Sequence, residues 1–141
     1  MNHYLDTSIL VAALTNEAAT ERLQEWLEAQ NPASMHISHW VETEFSSALA
    51  MKVRMSAMTP EMRAVSQSDF LALKSHSLTM AAVKPAHFVA AARLCDNVAL
   101  ALRAPDALHL AVAMQIGASL CTLDIKLAEA ASIISASCMT P

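Results

Sequence analysis

The chain has 141 residues, a formal net charge of −4, 55% hydrophobic residues, 16% charged residues and a single glycine. Its length fits one domain, residues 1–141, long enough to bury roughly 68–70% of the unfolded surface. One glycine excludes the glycine-rich loops of the Rossmann fingerprint and the P-loop; the negative charge argues against a broad electrostatic grip on nucleic acid, though not against a local basic rim; and no run approaches 18 apolar residues, so no membrane span is expected.

In chain order, residues 2–6 are apolar and aromatic and predict a first strand ending at Asp6. Ile9–Leu14 predicts a short helix, and Glu17–Ala29 a second, with Leu23, Trp26 and Leu27 at helical spacing. Asn31-Pro32 breaks it, and Met35–Ile37 predicts a second strand. Ser38 is placed to cap a helix over 39–54. Thr59-Pro60 opens a helix to about Ser75, with Thr as cap and Pro at the first helical position. Residues 78–83 predict a third strand, and Lys84-Pro85 starts a helix to about Cys95. Residues 96–103 connect to a helix from Pro105 to about Met114, closed near Gly117. Ala118–Leu123 predicts a buried strand, Asp124–Ala131 a helix, and Ile133–Ser137 a last strand. Strands alternating with helices, the strands as short continuous apolar runs, indicate an α/β fold with a parallel sheet covered on both faces.

The amino terminus lacks a charged segment followed by an apolar one, so no signal peptide is expected. Cys95, Cys121 and Cys138 are odd in number and share no CxxC spacing. They read as buried free thiols of a protein in the reducing cytoplasm, and a structural zinc site is not expected.

Four acids stand beside apolar runs at element boundaries: Asp6, Glu44, Asp106 and Asp124. Each has a structural explanation. Asp6 and Asp124 each follow a strand and precede a helix, where Asp is a favoured cap. Asp106 sits in a first helical turn, where a carboxylate gains roughly 0.3–1 kcal/mol from the helix dipole. Glu44 could be a solvated helix residue. Together they suggest more. In an open α/β sheet, ligands bind beyond the carboxyl ends of the strands, where strand order reverses. Acids gathered there repel by roughly 3 kcal/mol per pair at about 5 Å and an effective dielectric near 20. Protonation or a divalent cation must relieve that. Oxygen-only ligands favour Mg²⁺ or Mn²⁺, which activates water for attack on a phosphodiester.

The stretches Tyr4-Leu5-Asp6-Thr7-Ser8-Ile9-Leu10, Thr43-Glu44-Phe45-Ser46-Ser47-Ala48-Leu49, Leu102-Arg103-Ala104-Pro105-Asp106-Ala107-Leu108-His109-Leu110-Ala111 and Cys121-Thr122-Leu123-Asp124 resemble a PIN domain. Their order and spacing resemble the VapC branch, the toxin ribonucleases of type II toxin–antitoxin pairs. The resemblance covers nearly the whole chain. It implies a PIN-like three-layer sandwich with a five-stranded parallel sheet flanked by helices. It also implies a Mg²⁺- or Mn²⁺-dependent endoribonuclease, with Asp6, Glu44, Asp106 and Asp124 as the acidic site and Asp6, Asp106 and Asp124 as metal ligands. Ser8 and Thr122 match the family's hydroxyl positions beside that site, where they would serve water, metal or phosphate; they could equally satisfy local backbone groups. RNA is the implied substrate and an antitoxin protein the implied partner. Periodicity does not choose between Glu42 and Glu44, which flank the apolar stripe of Val41, Phe45, Ala48 and Leu49 on opposite sides; the resemblance selects Glu44.

Among other candidates, His109 lies three residues after Asp106, and packing or hydrogen bonding is its expected role. His36 and His39 flank the end of the second strand without a supporting spacing. Lys52, Arg54, Arg103 and Lys126 are candidates for the basic rim, and Arg103 could reach phosphate or form a surface ion pair. Met51, Met55, Met58 and Met62 cluster at a helix junction that would suit a homodimer or a partner helix. Two rival functions remain in view. One is a catalytically silent binding module of the same fold. The other is a metal-dependent phosphatase or phosphoacceptor with an Asp nucleophile, which needs an activating group that the sequence does not place.

Overall fold

Each strand of this protein is only two to four residues long. The computed structural model describes residues 1–141. In chain order the elements are β1 (His3–Leu5), α1 (Thr7–Leu14), α2 (Thr20–Glu28), β2 (Met35–Ser38), α3 (His39–Arg54), α4 (Pro60–Ser77), β3 (Thr79–Ala81), α5 (Pro85–Asp96), α6 (Ala104–Gln115), β4 (Ser119–Cys121), α7 (Ile125–Ile133) and β5 (Cys138–Met139). Single 3₁₀ turns at Pro32–Ser34 and Val98–Leu100 lie in the connections.

The five strands form one parallel sheet in the order β3-β2-β1-β4-β5. This is the predicted α/β architecture. The chain runs outward from β1 to β3, then returns to lay β4 on the other side of β1. Right-handed crossovers therefore put α1–α4 on one face and α5–α7 on the other. The main helix–helix contacts fall within those two groups. The switch in direction lies between β1 and β4, whose register pairs Leu5 with Cys121. Asp6 and Asp124 leave the sheet from these two neighbouring strands. The core runs through Tyr4, Leu5, Ile9, Leu10, Ile37, Phe45, Leu110, Leu120 and Leu127, all at 1% exposure or less. Helix α6 is buried along Ala107–Ala113 and serves as a central pillar rather than a surface helix.

Several boundaries shift from the predicted ones. Helix α1 starts at Thr7 rather than Ile9, because Asp6 caps it through the Ser8 and Ile9 N–H groups. Helix α2 starts at Thr20 rather than Glu17, because the Thr20 hydroxyl accepts the Glu17 N–H and holds the preceding turn. The largest correction is the last strand, predicted at Ile133–Ser137. Helix α7 continues through Ile133, and β5 is Cys138–Met139. The helix ends in a Schellman turn: Ala136 N–H reaches Ala131 O, Ser135 N–H reaches Ser132 O, and Ser135 takes φ +56°. Helices α3 and α6 end the same way at Ser56 and Gly117. Only the glycine advertised its turn in the sequence.

Candidate metal-binding acidic site

Asp6 is the anchor of the site. It is 4% exposed. Its Oδ1 accepts the Ser8 N–H (3.0 Å), the Ser8 hydroxyl (2.5 Å) and the Ile9 N–H (3.4 Å), and its Oδ2 accepts the Thr122 hydroxyl (2.5 Å). The two hydroxyls also accept from the opposite segment. Ser8 Oγ takes the Leu123 N–H and Thr122 Oγ1 takes the Asp124 N–H, both at 2.9 Å. Asp6, Ser8 and Thr122 thus lace together the carboxyl ends of β1 and β4. The backbone continues the lacing, with Asp6 N–H donating to Cys121 O. Asp124 caps α7 through Oδ1, which accepts the Lys126 and Leu127 N–H groups. The capping explanation therefore holds for both aspartates, and it is also what fixes their positions on one rim.

Glu44, Asp106 and Asp124 line one cleft of about 600 Å³ with Arg103, Lys126, Pro105, Ala101, Leu102 and Leu127. Asp106, in the first turn of α6, receives no hydrogen bond from the protein. Burial pushes its carboxyl above the ordinary range, and the charges of Asp124, Asp6 and Glu44 push it further, against the opposing influence of His109. Burial also raises Asp6, outweighing the hydrogen bonds from Ser8 and Thr122. Glu44 differs. Burial works to raise it, but the His109 hydrogen bond and charge and the Thr7 hydroxyl outweigh that and leave it lowered.

Glu44 Oε1 accepts the Thr7 hydroxyl (2.7 Å) and meets His109 Nε2 in a short contact. His109 Nδ1 lies 2.9 Å from the Tyr4 hydroxyl, which lies 2.8 Å from Ser38 Oγ. Ser38 occupies the cap position of α3, as predicted, but its hydroxyl makes no cap bond. Tyr4, Thr7 and Ser38 escape a reading by spacing, because the partners they serve lie far away in sequence. The only available signal is that a tyrosine buried in a core needs a partner for its hydroxyl.

Glu42 turns elsewhere. Lys74 Nζ donates to it at 2.5 Å and His39 Nδ1 lies 2.9 Å away, so Glu44 and not Glu42 lines the cleft. Arg103 and Lys126 line the same cleft as the acids and neither forms an ion pair. Lys52 and Arg54 are not at this rim, and Lys52 pairs with Glu17 at the far end of α3. His36 and His39 do not join the acids. Met51, Met55 and Met62 are exposed, but Met58 is buried in the core. All three cysteines are free; only Cys121 is buried, its thiol pushed up to about 12 by burial, while Cys95 and Cys138 are half-buried.

No three His, Cys, Asp or Glu side chains are arranged as a ready-made cation cage. The donor chemistry nonetheless fits a hard divalent ion. The donors are all carboxylate oxygens, Asp106 is wholly unbonded, and Asp106 feels the charge of the other three acids.

A family model described as PIN domain matches residues 3–133. No curated protein matches the sequence. Among solved structures, the chain is similar to VapC20 of Mycobacterium tuberculosis, described as a Sarcin-Ricin loop cleaving toxin, with 17% identity, TM-score 0.71 and coverage of 92% of this chain and 95% of that one. It is also similar to FitAcB from Neisseria gonorrhoeae (16% identity, TM-score 0.72, 99% and 97% covered) and to VapBC2 from Rickettsia felis bound to a promoter DNA fragment (18% identity, TM-score 0.67, 99% and 98% covered). No helix is long and apolar enough to cross a membrane.

Proposed function

The chain belongs to the PIN domain family, and on that premise we propose that its 141 residues act as one metal-dependent endoribonuclease, the toxin of a VapC-type pair. The observation that carries this reading is the gathering of Glu44, Asp106 and Asp124 in one cleft, with Asp6 laced to the segment that bears Asp124. Asp6, Asp106 and Asp124 would hold Mg²⁺ or Mn²⁺. The bound ion would lower the pKa of water for attack on the phosphodiester and offset charge on the scissile phosphate. Ser8 and Thr122 hold Asp6 in place, and Glu44 completes the acidic wall. Arg103 and Lys126, unpaired on the same cleft, are placed to take flanking phosphates of the RNA.

The similarity to toxin–antitoxin complexes supports a cognate antitoxin partner. The exposed Met51, Met55 and Met62 offer apolar surface for a homodimer; a monomer by light scattering would count against that. The deciding assay incubates purified protein with short RNA and with a phosphate monoester, with and without Mn²⁺. Cleavage of RNA only with Mn²⁺, abolished by EDTA, is expected. Cleavage unchanged in excess EDTA sinks the mechanism, and no cleavage in any condition favours the silent binding module.

A further inference from the structure

A chain of hydrogen bonds runs from the core to the cleft through Ser38, Tyr4, His109 and Glu44. Tyr4 is fully buried and His109 is 2% exposed, so their polar atoms must find partners inside the protein. The Tyr4 hydroxyl lies between Ser38 Oγ and His109 Nδ1, and His109 Nε2 meets Glu44 Oε1. The direction of the chain follows from the donors available. A carboxylate only accepts, so Nε2 must carry hydrogen. In a neutral ring Nδ1 is then an acceptor, which takes the Tyr4 hydroxyl hydrogen, and the Tyr4 oxygen takes that of Ser38. A tyrosine phenol carries its hydrogen at neutral pH, so it is a donor here. Ser38 gives up its cap bond on α3 to serve this chain.

The result is an asymmetric carboxylate. Both protein donors, Thr7 Oγ1 and His109 Nε2, reach Oε1 of Glu44, and Oε2 has none. His109 comes from the buried pillar α6 and Tyr4 from the central strand β1, so the clamp is built from the interior of the fold. We propose that His109 and Tyr4 are positioning residues that hold Glu44 by one oxygen and present the other to a divalent cation in the acidic cleft. This rests on the metal-dependent reading of the site.

The first test needs neither metal nor RNA. Nitrogen-15 NMR of His109 in the metal-free protein is expected to show hydrogen on Nε2, and a ring protonated on Nδ1 alone overturns the proposal. The second is a double-mutant cycle on Mn²⁺ affinity, measured by calorimetry. His109→Leu is expected to weaken Mn²⁺ by about 10–100-fold, the scale of losing an outer hydrogen bond to a ligand. In the Glu44→Gln background the same change is expected to cost nothing further, because His109 acts through Glu44. His109→Gln can keep an N–H toward Glu44 and should recover most of the affinity; Tyr4→Phe should fall between wild type and His109→Leu. Should His109→Leu not fold, these two variants carry the cycle. Equal losses in both backgrounds, or wild-type affinity without the histidine, overturn the proposal. Protein that follows the expected Mn²⁺ pattern but cleaves no RNA sinks the ribonuclease reading and leaves the positioning role standing.

Discussion

Helix α3 carries two glutamates, two residues apart, under opposite constraints. Glu42 faces α4, part-exposed, with Lys74 and His39 as partners. Its carboxyl is lowered first by the Lys74 and His39 hydrogen bonds, and the protein itself supplies the countercharge. Glu44 faces the cleft that it shares with Asp106 and Asp124, and its partners are a hydroxyl and an imidazole. One side of the helix is electrostatically closed, while the other keeps negative charge in excess. Such a surplus is costly in the resting fold, and protonation or a bound cation would relieve it. Composition alone cannot distinguish the two acids; what each one faces does.

The comparison can be broken most directly by activity. Asp106→Asn or Asp124→Asn is expected to reduce RNA cleavage by roughly 10²–10³-fold or more, the scale of removing one preorganised electrostatic group from an active site. Asp6→Asn should do the same with the fold preserved by circular dichroism. Glu42→Gln should leave kcat unchanged. If the Glu42 variant loses as much as the Asp106 variant, the division between the two faces is wrong.

Thermal stability offers a second break. In the metal-free protein Asp106→Asn relieves repulsion from Asp124, Asp6 and Glu44. Its Tm should rise, by about 3–6 °C for each kcal/mol relieved in a domain of this size. Saturating Mn²⁺ should stabilise wild type and not the variant. A lower Tm for metal-free Asp106→Asn would show that the cleft is not under strain.

The pH dependence should run in opposite directions for the raised aspartates and the lowered glutamates. Asp6 and Asp106 bind protons more tightly folded than unfolded, so metal-free stability should rise as pH falls from neutral through their raised values toward the ordinary 3.8. Glu42 and Glu44 are lowered, so their contribution is full above the ordinary 4.5 and is lost as pH falls through their folded values. Urea melts across this range should therefore show a maximum on the acidic side, flattened in Asp106→Asn. A monotonic fall in stability from neutral pH downward contradicts the repulsion.

The smallest effect belongs to Glu42→Gln. Its two ion pairs are partly exposed, so the loss should be about 0.5–1 kcal/mol and should shrink in high salt. Denaturant midpoints at two salt concentrations measure it, and a larger, salt-insensitive loss would mark Glu42 as structurally central.

How far these constraints were legible varies with the range over which they act. Asp6 and Asp124 could be read as caps because capping is local: the acceptor and the N–H groups it serves lie within three residues. Gly117 likewise marked the end of α6. Ser135 closes α7 with the same turn, but a serine at positive φ carries no signal, so the sequence places the final strand five residues early. The spacing of the methionines suggests one group, yet the turn after α3 puts Met58 in the core and leaves Met51, Met55 and Met62 outside.

By itself the sequence determined the alternation of strands and helices, the parallel sheet and the caps that place Asp6 and Asp124 at element starts, because apolar periodicity and local hydrogen bonding act over a few residues. The family motif also named Glu44. Only the tertiary structure decided that β1 and β4 are neighbours, so that Ser8 and Thr122 can lace Asp6 to Asp124. Only it turned Glu42 toward Lys74 and set Glu44 against His109, across 65 residues of chain. The physical reason is the same in each case: charge repulsion and buried hydrogen bonds depend on distance in space, and spacing along the chain does not report it.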